Sequence, residues 1–310
     1  MGDMTDVLVV GGGIIGLTAA SRLRQRGANV TIWTADDVRD TVSSVAAAVW
    51  YPSHVDEDPR VLRWAAEAYR EFVRQASAGV PGVMLRRTRM VMRTAPDVVP
   101  WWVAGAGDAS LADGEVHFTA PLVEMETYLP WLRQGLIDDG VRIERRRVSS
   151  LSPALAAAPL VVNATGLAAG ELCGDPAVFA ARGHVVITDN PGLDVSVRDE
   201  DNPAGLTYVH PRSHDVVLGG TYEVGQWSLE PDPAEVTAIL RRCAALEPRL
   251  AGVRVRGSKV GLRPGRRGGP RVEAAGRVIH AYGHGGAGMT LSWGCADEIA
   301  GLASSGTING

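Results

Sequence analysis

Residues 6–36 constrain the fold more than any other stretch of the chain. Asp6-Val7-Leu8-Val9-Val10 is a short apolar run that reads as a buried strand. Gly11-Gly12-Gly13-Ile14-Ile15-Gly16 follows at once and fits G-x-G-x-x-G. Residues 17–27 carry Ala19, Ala20 and Leu23 at helical spacing and stop at Gly27. Val30-Thr31-Ile32-Trp33 reads as a second strand, with Asp36 just beyond it. A strand, turn, helix and strand in about 30 residues is the setting in which this glycine signature signals a dinucleotide. Gly11 permits the tight turn, Gly13 lets a pyrophosphate approach the backbone, and Gly16 lets helix and strand pack closely. The helix start at Ile14 and Ile15 offers N–H groups and a partial positive charge to phosphates. Asp36 is the acid placed to hold ribose hydroxyls.

This pattern alone does not separate FAD from NAD. At 310 residues, 45% of them hydrophobic, the chain can build one large or two smaller domains. A net charge of −4 argues against a nucleic-acid partner. No apolar run approaches the length of a membrane span, so no membrane association is expected. Asp3 and Asp6 precede or open the first apolar run where a signal peptide would need basic residues. Cys173, Cys243 and Cys295 are odd in number, scattered and without C-x-x-C, which predicts a reduced cytoplasmic protein with no disulfide or metal site. The closing Ile308-Asn309-Gly310 is not a peroxisomal tripeptide.

Further along, residues 41–48 are small and suit a backbone lying against something flat. Residues 59–76 read as a helix. Residues 83–85 and 91–92 read as two strands split by the basic run Arg86-Arg87-Thr88-Arg89, and 96–113 as loop. A strand is expected at 114–120. A helix is expected at 124–140, with Tyr128, Leu129, Trp131, Leu132 and Leu136 inward, and a strand at 141–144. Leu160-Val161-Val162-Asn163 is a second buried strand ending in the turn Ala164-Thr165-Gly166. Strands at 182–187, 207–219 and 253–262, a helix at 231–247, a strand at 277–282 and a helix at 291–304 complete the sequence. Strands and helices alternate at both ends and strands cluster in the middle. The fold class expected is α/β: a Rossmann-like nucleotide domain from 1–50, 140–180 and 270–310, with an inserted mixed-sheet substrate domain from 51–139 and 181–269.

A second glycine turn, Gly283-His284-Gly285-Gly286-Ala287-Gly288, also lies between a strand and a helix. Two such turns suit one extended anionic cofactor. Arg263 could bind a carboxylate with two parallel hydrogen bonds, and Tyr208 could add a third. Arg263 could equally belong to a solvated basic turn, which is the reading given to Arg266, Arg267 and Arg271. No Ser/His/Asp arrangement and no metal-ligand spacing is evident.

These residues resemble the D-amino-acid oxidase family of FAD enzymes over nearly the full length. The matching stretches are residues 10–16, Val45-Ala46-Ala47-Ala48-Val49-Trp50, Val162-Asn163-Ala164-Thr165-Gly166 and Arg182-Gly183-His184. They continue through residues 208–220, Gly225-Gln226-Trp227, Leu246-Glu247-Pro248, Gly261-Leu262-Arg263-Pro264 and residues 282–294. The resemblance implies oxidation of a D-amino acid to an imino acid, reoxidation of the flavin by O2 to give peroxide, and hydrolysis to a keto acid and ammonia. It implies that Arg263 binds the substrate carboxylate, that Tyr208 hydrogen-bonds it, and that the Gly286 carbonyl accepts from the amine. It gives FAD to Gly11, Gly13, Ile14, Ile15, Gly16, Asp36, Ser43, Ser44, Ala48, Val49, Thr165, Gly166, Arg263, Gly285, Gly286, Gly288, Met289 and Thr290. Ala48 replaces a glycine usual in the family, so a small backbone adjustment is expected there. His184, His210 and His284 are not needed as bases, and His54 and His280 read as structural.

Relatives acting on D-aspartate carry an extra arginine after Gly-Gly-Thr, where this chain has Tyr222. A buried carboxylate without a partner is costly, so neutral D-amino acids are expected unless Arg212 turns inward. Ala204 stands where some animal relatives place a lid tyrosine, and the loop at 199–205 is short, so an open pocket is expected. Tyr51, Ser53 and Tyr222 are pocket candidates. A glycine or sarcosine oxidase, a D-aspartate oxidase, an NAD-dependent dehydrogenase and a flavin-binding protein without turnover are the alternatives. The assembly, monomer or homodimer, stays open.

Overall fold

The computed structural model describes residues 6–304; Asp3 and Ile308-Asn309-Gly310 lie outside them. The chain opens with β1 (Asp6–Val10), α1 (Ile14–Gln25) and β2 (Asn29–Thr34). The short α2 (Val42–Val45) and the long α3 (Pro59–Ser77) lead to β3 (Val83–Val91), β4 (Ser110–Ala112) and β5 (Glu115–Val123). Then come α4 (Met125–Asp138), β6 (Arg142–Arg145), α5 (Ser152–Ala157), β7 (Leu160–Asn163) and α6 (Ala169–Leu172). A run of strands follows: β8 (Val178–Thr188), β9 (Ser196–Asp199), β10 (Thr207–Pro211), β11 (Val216–Gly219) and β12 (Glu223–Val224). α7 (Pro233–Leu246), β13 (Val255–Arg266), β14 (Arg271–Ala275), β15 (Val278–Tyr282) and α8 (Gly288–Ser304) complete the order.

The strands form two sheets. One has six strands in the order β14-β15-β7-β1-β2-β6. It is parallel except for the edge strand β14, which turns back on β15. The central strand β1 is apolar on both faces because both are covered. Val7 and Val9 face the main core under α1 and α8, while Leu8 and Val10 face a smaller core closed by α5 through Ala154. The second sheet has nine strands. β13 runs antiparallel to β8 along its whole length, β11 and β12 share the other edge of β8, and β10, β9, β3, β5 and β4 continue outward. The sheet is mixed: β3 and β9 run parallel, whereas the other pairs are antiparallel. α7 covers one face through Ile239 and Cys243.

Helix boundaries follow their caps. Asp58 accepts from the Arg60 N–H ahead of α3, with Pro59 at the first helical position, and Asp232 caps α7 in the same way ahead of Pro233. Three expectations need correction. Residues 83–91 are one strand, because β3 lies between β5 and β9 and sends Arg87 to Asp194 at 2.8 Å and Arg89 to Glu115 at 2.6 Å. Trp131 is 38% exposed, stacked on the outside of buried Tyr128. Residues 96–113 hold a short helical turn, Trp101–Gly105, that buries Trp102 among Trp50, Tyr51 and Phe118.

Candidate active site

A cavity of about 410 Å³ is lined from both sheets. On the side of the six-stranded sheet the turn after β1 forms its floor. Gly11 adopts φ +122°, and a Cβ there would lie 2.2 Å from the Ala164 carbonyl oxygen at the end of β7. A Cβ on Gly16 would lie 1.9 Å from the Gly11 oxygen, so α1 can approach the turn only with glycine at that point. Gly13, Ile14 and Ile15 line the cavity at the start of α1. The Ser43 hydroxyl accepts from the Ile14 N–H at 3.0 Å, which ties residues 41–48 to the helix start. Ser44 is not in the cavity wall: its hydroxyl donates to the Arg39 and Thr41 carbonyls at 2.7 and 2.8 Å.

Asp36 reaches the cavity edge with Arg147 2.9 Å from its Oδ1. Beside it Arg146 lies 3.8 Å over the Trp33 ring, and both arginines line the cavity, a wall that the sequence reading missed. Thr165 and Gly166 line the opposite side; the Thr165 hydroxyl donates to Asn163 at 2.7 Å and Gly166 takes φ +60°. Ala48 and Val49 also line the cavity. Ala48 takes φ +52°, the left-handed conformation that glycine favours. The second glycine turn contributes Gly285, Gly286, Gly288, Met289 and Thr290. The Thr290 hydroxyl is shared with the backbone of Tyr51, donating to its carbonyl at 2.9 Å and accepting from its N–H at 3.2 Å.

On the side of the nine-stranded sheet, Arg263 projects from β13 across β8. A Cβ on Gly183 would lie 2.2 Å from its Nη1 and 2.4 Å from its Cζ, so the guanidinium rests flat on that glycine. Nη1 donates to the Thr221 carbonyl at 2.9 Å, and no carboxylate pairs with Arg263 among the described residues. Gly286 is its neighbour: a Cβ there would lie 3.5 Å from Arg263 Cδ. Tyr208 on β10 is seated in the same way, its ring 2.0 Å from a Cβ built on Gly219. Its hydroxyl has no hydrogen-bond partner among the described residues. Burial raises the phenol pKa although Arg263 and Arg198 pull it down, so it stays a neutral donor.

Three residues not singled out as site residues from the sequence complete this end. Arg198 on β9 is 6% exposed, lines the cavity, and lies 4.4 Å over the Tyr51 ring and 5.4 Å from that of Tyr208. It pairs with Glu200, which also accepts from the Tyr51 hydroxyl at 3.0 Å and from Ser53 at 3.4 Å. Burial pushes Glu200 up, but the charge and hydrogen bonds of Arg198 outweigh it and hold the carboxyl below its usual range. Read as a strand, 196–200 puts Ser196, Arg198 and Glu200 on one face, a signal of spacing two that was available. His54 lines the cavity and stacks at 3.8 Å on Tyr222, which, unlike Tyr51 and Ser53, is not itself in the cavity wall. Its Nδ1 is 2.6 Å from Ser53 Oγ, and burial lowers its pKa. The expectation of an open pocket is qualified accordingly: residues 51–54 form one wall.

Arg212 does not turn inward; it holds Asp215 with contacts of 2.6 and 2.7 Å. His184, His210 and His284 are buried, and burial depresses all three, His284 to about 4. Arg266 and Arg271 are not a solvated turn. Arg266 pairs with Asp175 at 2.9 Å, and Arg271 donates to the Tyr282 hydroxyl at 2.8 Å.

Residues 6–302 match the family model described as DAO, FAD dependent oxidoreductase. The chain belongs to that family. It is 47% identical to a D-amino-acid oxidase of Rubrobacter xylanophilus, with 96% of this chain and 95% of the relative covered. It is 42% identical to a D-amino-acid oxidase of Streptomyces coelicolor, covering 96% and 97%. A glycine oxidase structure from Geobacillus kaustophilus superposes with a TM-score of 0.82 at 20% identity, over 96% of this chain and 94% of that one, and shares the fold.

The cavity fits FAD, the cofactor of this family of oxidoreductases. Its floor is made of glycines whose Cβ positions are already taken by backbone, its α1 end presents N–H groups suited to a pyrophosphate, and it runs on to Arg263 and Gly286. Gly11, Gly13, Ile15, Thr165 and the turn at 285–290 would hold the cofactor, with Asp36 at the ribose. Among the described residues no helix is long and apolar enough to cross a membrane, and no cluster of metal-ligating side chains occurs.

Proposed function

We propose that this enzyme converts neutral D-amino acids, with O2 and water, to 2-oxo acids, ammonia and hydrogen peroxide. The observation that carries this reading is the unpaired Arg263 guanidinium, held flat on Gly183 beside Gly286 in the cavity that fits FAD. When bound, FAD supplies the two-electron acceptor, regenerated by O2.

The protein's own residues bind and orient. Arg263 takes the α-carboxylate through two parallel N–H donors. Tyr208, kept protonated by burial, donates a further hydrogen bond to that carboxylate. The Gly286 carbonyl accepts from the substrate amine, which must arrive uncharged so that its lone pair can stabilise the developing imine. Carboxylate, amine and α-hydrogen are thereby fixed together, and the mirror-image substrate would put its side chain where the hydrogen must be. The pKa values of His54 and His210 are both lowered beside the arginines, so neither adds a positive charge to the site. The nine-stranded sheet supplies Arg263 and Tyr208 to the substrate, and the six-stranded sheet supplies the nucleotide residues and, through the turn after β15, Gly286. A cytoplasmic setting is part of this reading, supported by the odd number and wide scatter of Cys173, Cys243 and Cys295.

The test is a panel of D- and L-amino acids, glycine and sarcosine with oxygen uptake measured, on wild type and Arg263→Ala. Activity confined to D-isomers, with the variant losing about 2–4 kcal/mol in kcat/KM, is the expected outcome. An Arg263→Ala enzyme with unaltered KM would remove the basis of this assignment.

A further inference from the structure

We propose that Glu200 sets the charge this pocket accepts on a substrate side chain: by cancelling Arg198 it makes the site refuse a second carboxylate. The proposal rests on the oxidase reading above and names its substrate class.

Four guanidinium groups line the cavity: Arg146 and Arg147 beside Asp36, and Arg198 and Arg263 on the side of the nine-stranded sheet. Arg263 has no acidic partner, which leaves its charge for the α-carboxylate that every amino acid carries. Arg198 is the second, and its geometry is that of a built charge: 6% exposed, one face 4.4 Å from the Tyr51 ring, the Tyr208 ring 5.4 Å away. Its Nε is buried with no partner among the described residues, so Glu200, which pairs with Nη2, leaves that donor unsatisfied. Left alone Arg198 would attract a second anion. Glu200 prevents this. It pairs with Arg198 and is itself fixed from two further directions, by the Tyr51 hydroxyl at 3.0 Å and Ser53 at 3.4 Å. The imidazole of His210, 3.5 Å from Arg198 Nη1, is held neutral by burial and adds no charge, and the pKa of His54 is also lowered, by desolvation and by the charges of Arg263 and Arg198. Asp201, next to Glu200, is exposed and bonded to Thr94 at 2.7 Å, on the solvent side. With Glu200 behind Arg198 rather than in the cavity wall, Arg198, Arg263 and Glu200 together sum to a single positive charge, matched by one carboxylate. A dicarboxylic substrate would leave one charge buried and unpaired, and a basic side chain would meet Arg198.

The exclusion thus belongs to a pair, and each half can be removed. Glu200→Gln keeps the shape and the acceptor for Tyr51 but unmasks Arg198. Arg198→Gln unmasks Glu200. Purified FAD-loaded wild type, both single variants and the double variant are compared for kcat/KM on D-methionine, D-glutamate and D-lysine. Glu200→Gln is expected to raise the D-glutamate to D-methionine ratio about tenfold or more, mainly through KM. Arg198→Gln, assayed above neutral pH to keep Glu200 ionised, should raise the D-lysine ratio by a similar factor. The double variant should return both ratios near wild type. A merely structural role would lower all three substrates together, and ratios within twofold of wild type in both single variants overturn the proposal.

Glu200→Gln leaves a buried cation unpaired and is the variant most prone to misfold. The second measurement is its melting temperature in succinate against butanoate. Succinate should stabilise the variant more than butanoate does, or rescue it where it is otherwise insoluble, and should show no such advantage on wild type. Equal effects of the two acids on the variant, or rescue by neither, overturn the proposal. A wild type that oxidises no D-amino acid brings down the oxidase reading instead, while the succinate comparison still judges Glu200.

Discussion

Gly183 and Gly219 owe their identity to what rests on them. Each underlies a side chain of the proposed substrate site, Arg263 or Tyr208, at a distance no Cβ could share. Gly183→Ala should therefore tilt the guanidinium out of its plane without touching the cofactor turns. We expect kcat/KM to fall roughly 100-fold with FAD content unaltered; an unchanged KM would mean that the guanidinium has another seat. Ala48 is the converse case, a side chain kept where glycine is at ease, at φ +52°. Ala48→Gly should relieve left-handed strain, partly offset by the freer unfolded chain, for a net gain of up to about 1 kcal/mol in urea denaturation. Arg263, Tyr208 and the glycine turns were legible in the sequence because their motifs are contiguous. Arg198, Glu200 and His54 were not: their partners are side chains brought together only by folding, Tyr51 from one segment and Tyr222 from another.

At the scale of elements, periodicity located most helices to within a few residues, because apolar spacing and proline caps mark their ends. It failed at β3, where arginines interrupt the apolar alternation, since their ion-pair partners lie on another strand and in a distant loop. It failed again at β14, an edge strand whose Arg271 and Glu273 look like loop charges and are bonded to each other at 2.7 Å. The closest approach between helices was also invisible. A Cβ on Gly294 of α8 would lie 2.3 Å from Trp64 Cα and 2.4 Å from its carbonyl oxygen, so α3 and α8 cross backbone to backbone. Gly294→Ala should cost about 1–3 kcal/mol and lower Tm by roughly 2–12 °C. Gly301→Ala in the same helix, where the nearest atom is Arg26 Nη1 at 3.7 Å, should be neutral or stabilising and serves as its control.

For the whole molecule the histidines set the response to acid. His54, His184, His210, His280 and His284, five of the seven in the chain, are all pushed below their ordinary value, with burial the largest cause in each. His280 and His284 fall to about 4. Between that value and the unfolded pKa near 6.5 the unfolded chain binds protons that the folded one refuses. For the buried His184, His210, His280 and His284 the stability contributed is therefore present above pH 6.5 and lost as the pH falls toward their lowered folded values, at up to about 1.4 kcal/mol per unit for each. Urea midpoints should drop steeply from pH 7.5 to 5 with a constant m-value; a flat profile over that range would contradict the burial seen here. The cavity itself draws on Gly11 and Gly13 near one end of the chain and on Gly285, Gly286 and Thr290 near the other. A ribosome must therefore release residues 11 to 290 together before this cavity can close, so a nascent chain halted ahead of α8 would lack one wall of the proposed cofactor site, however well its earlier strands had formed.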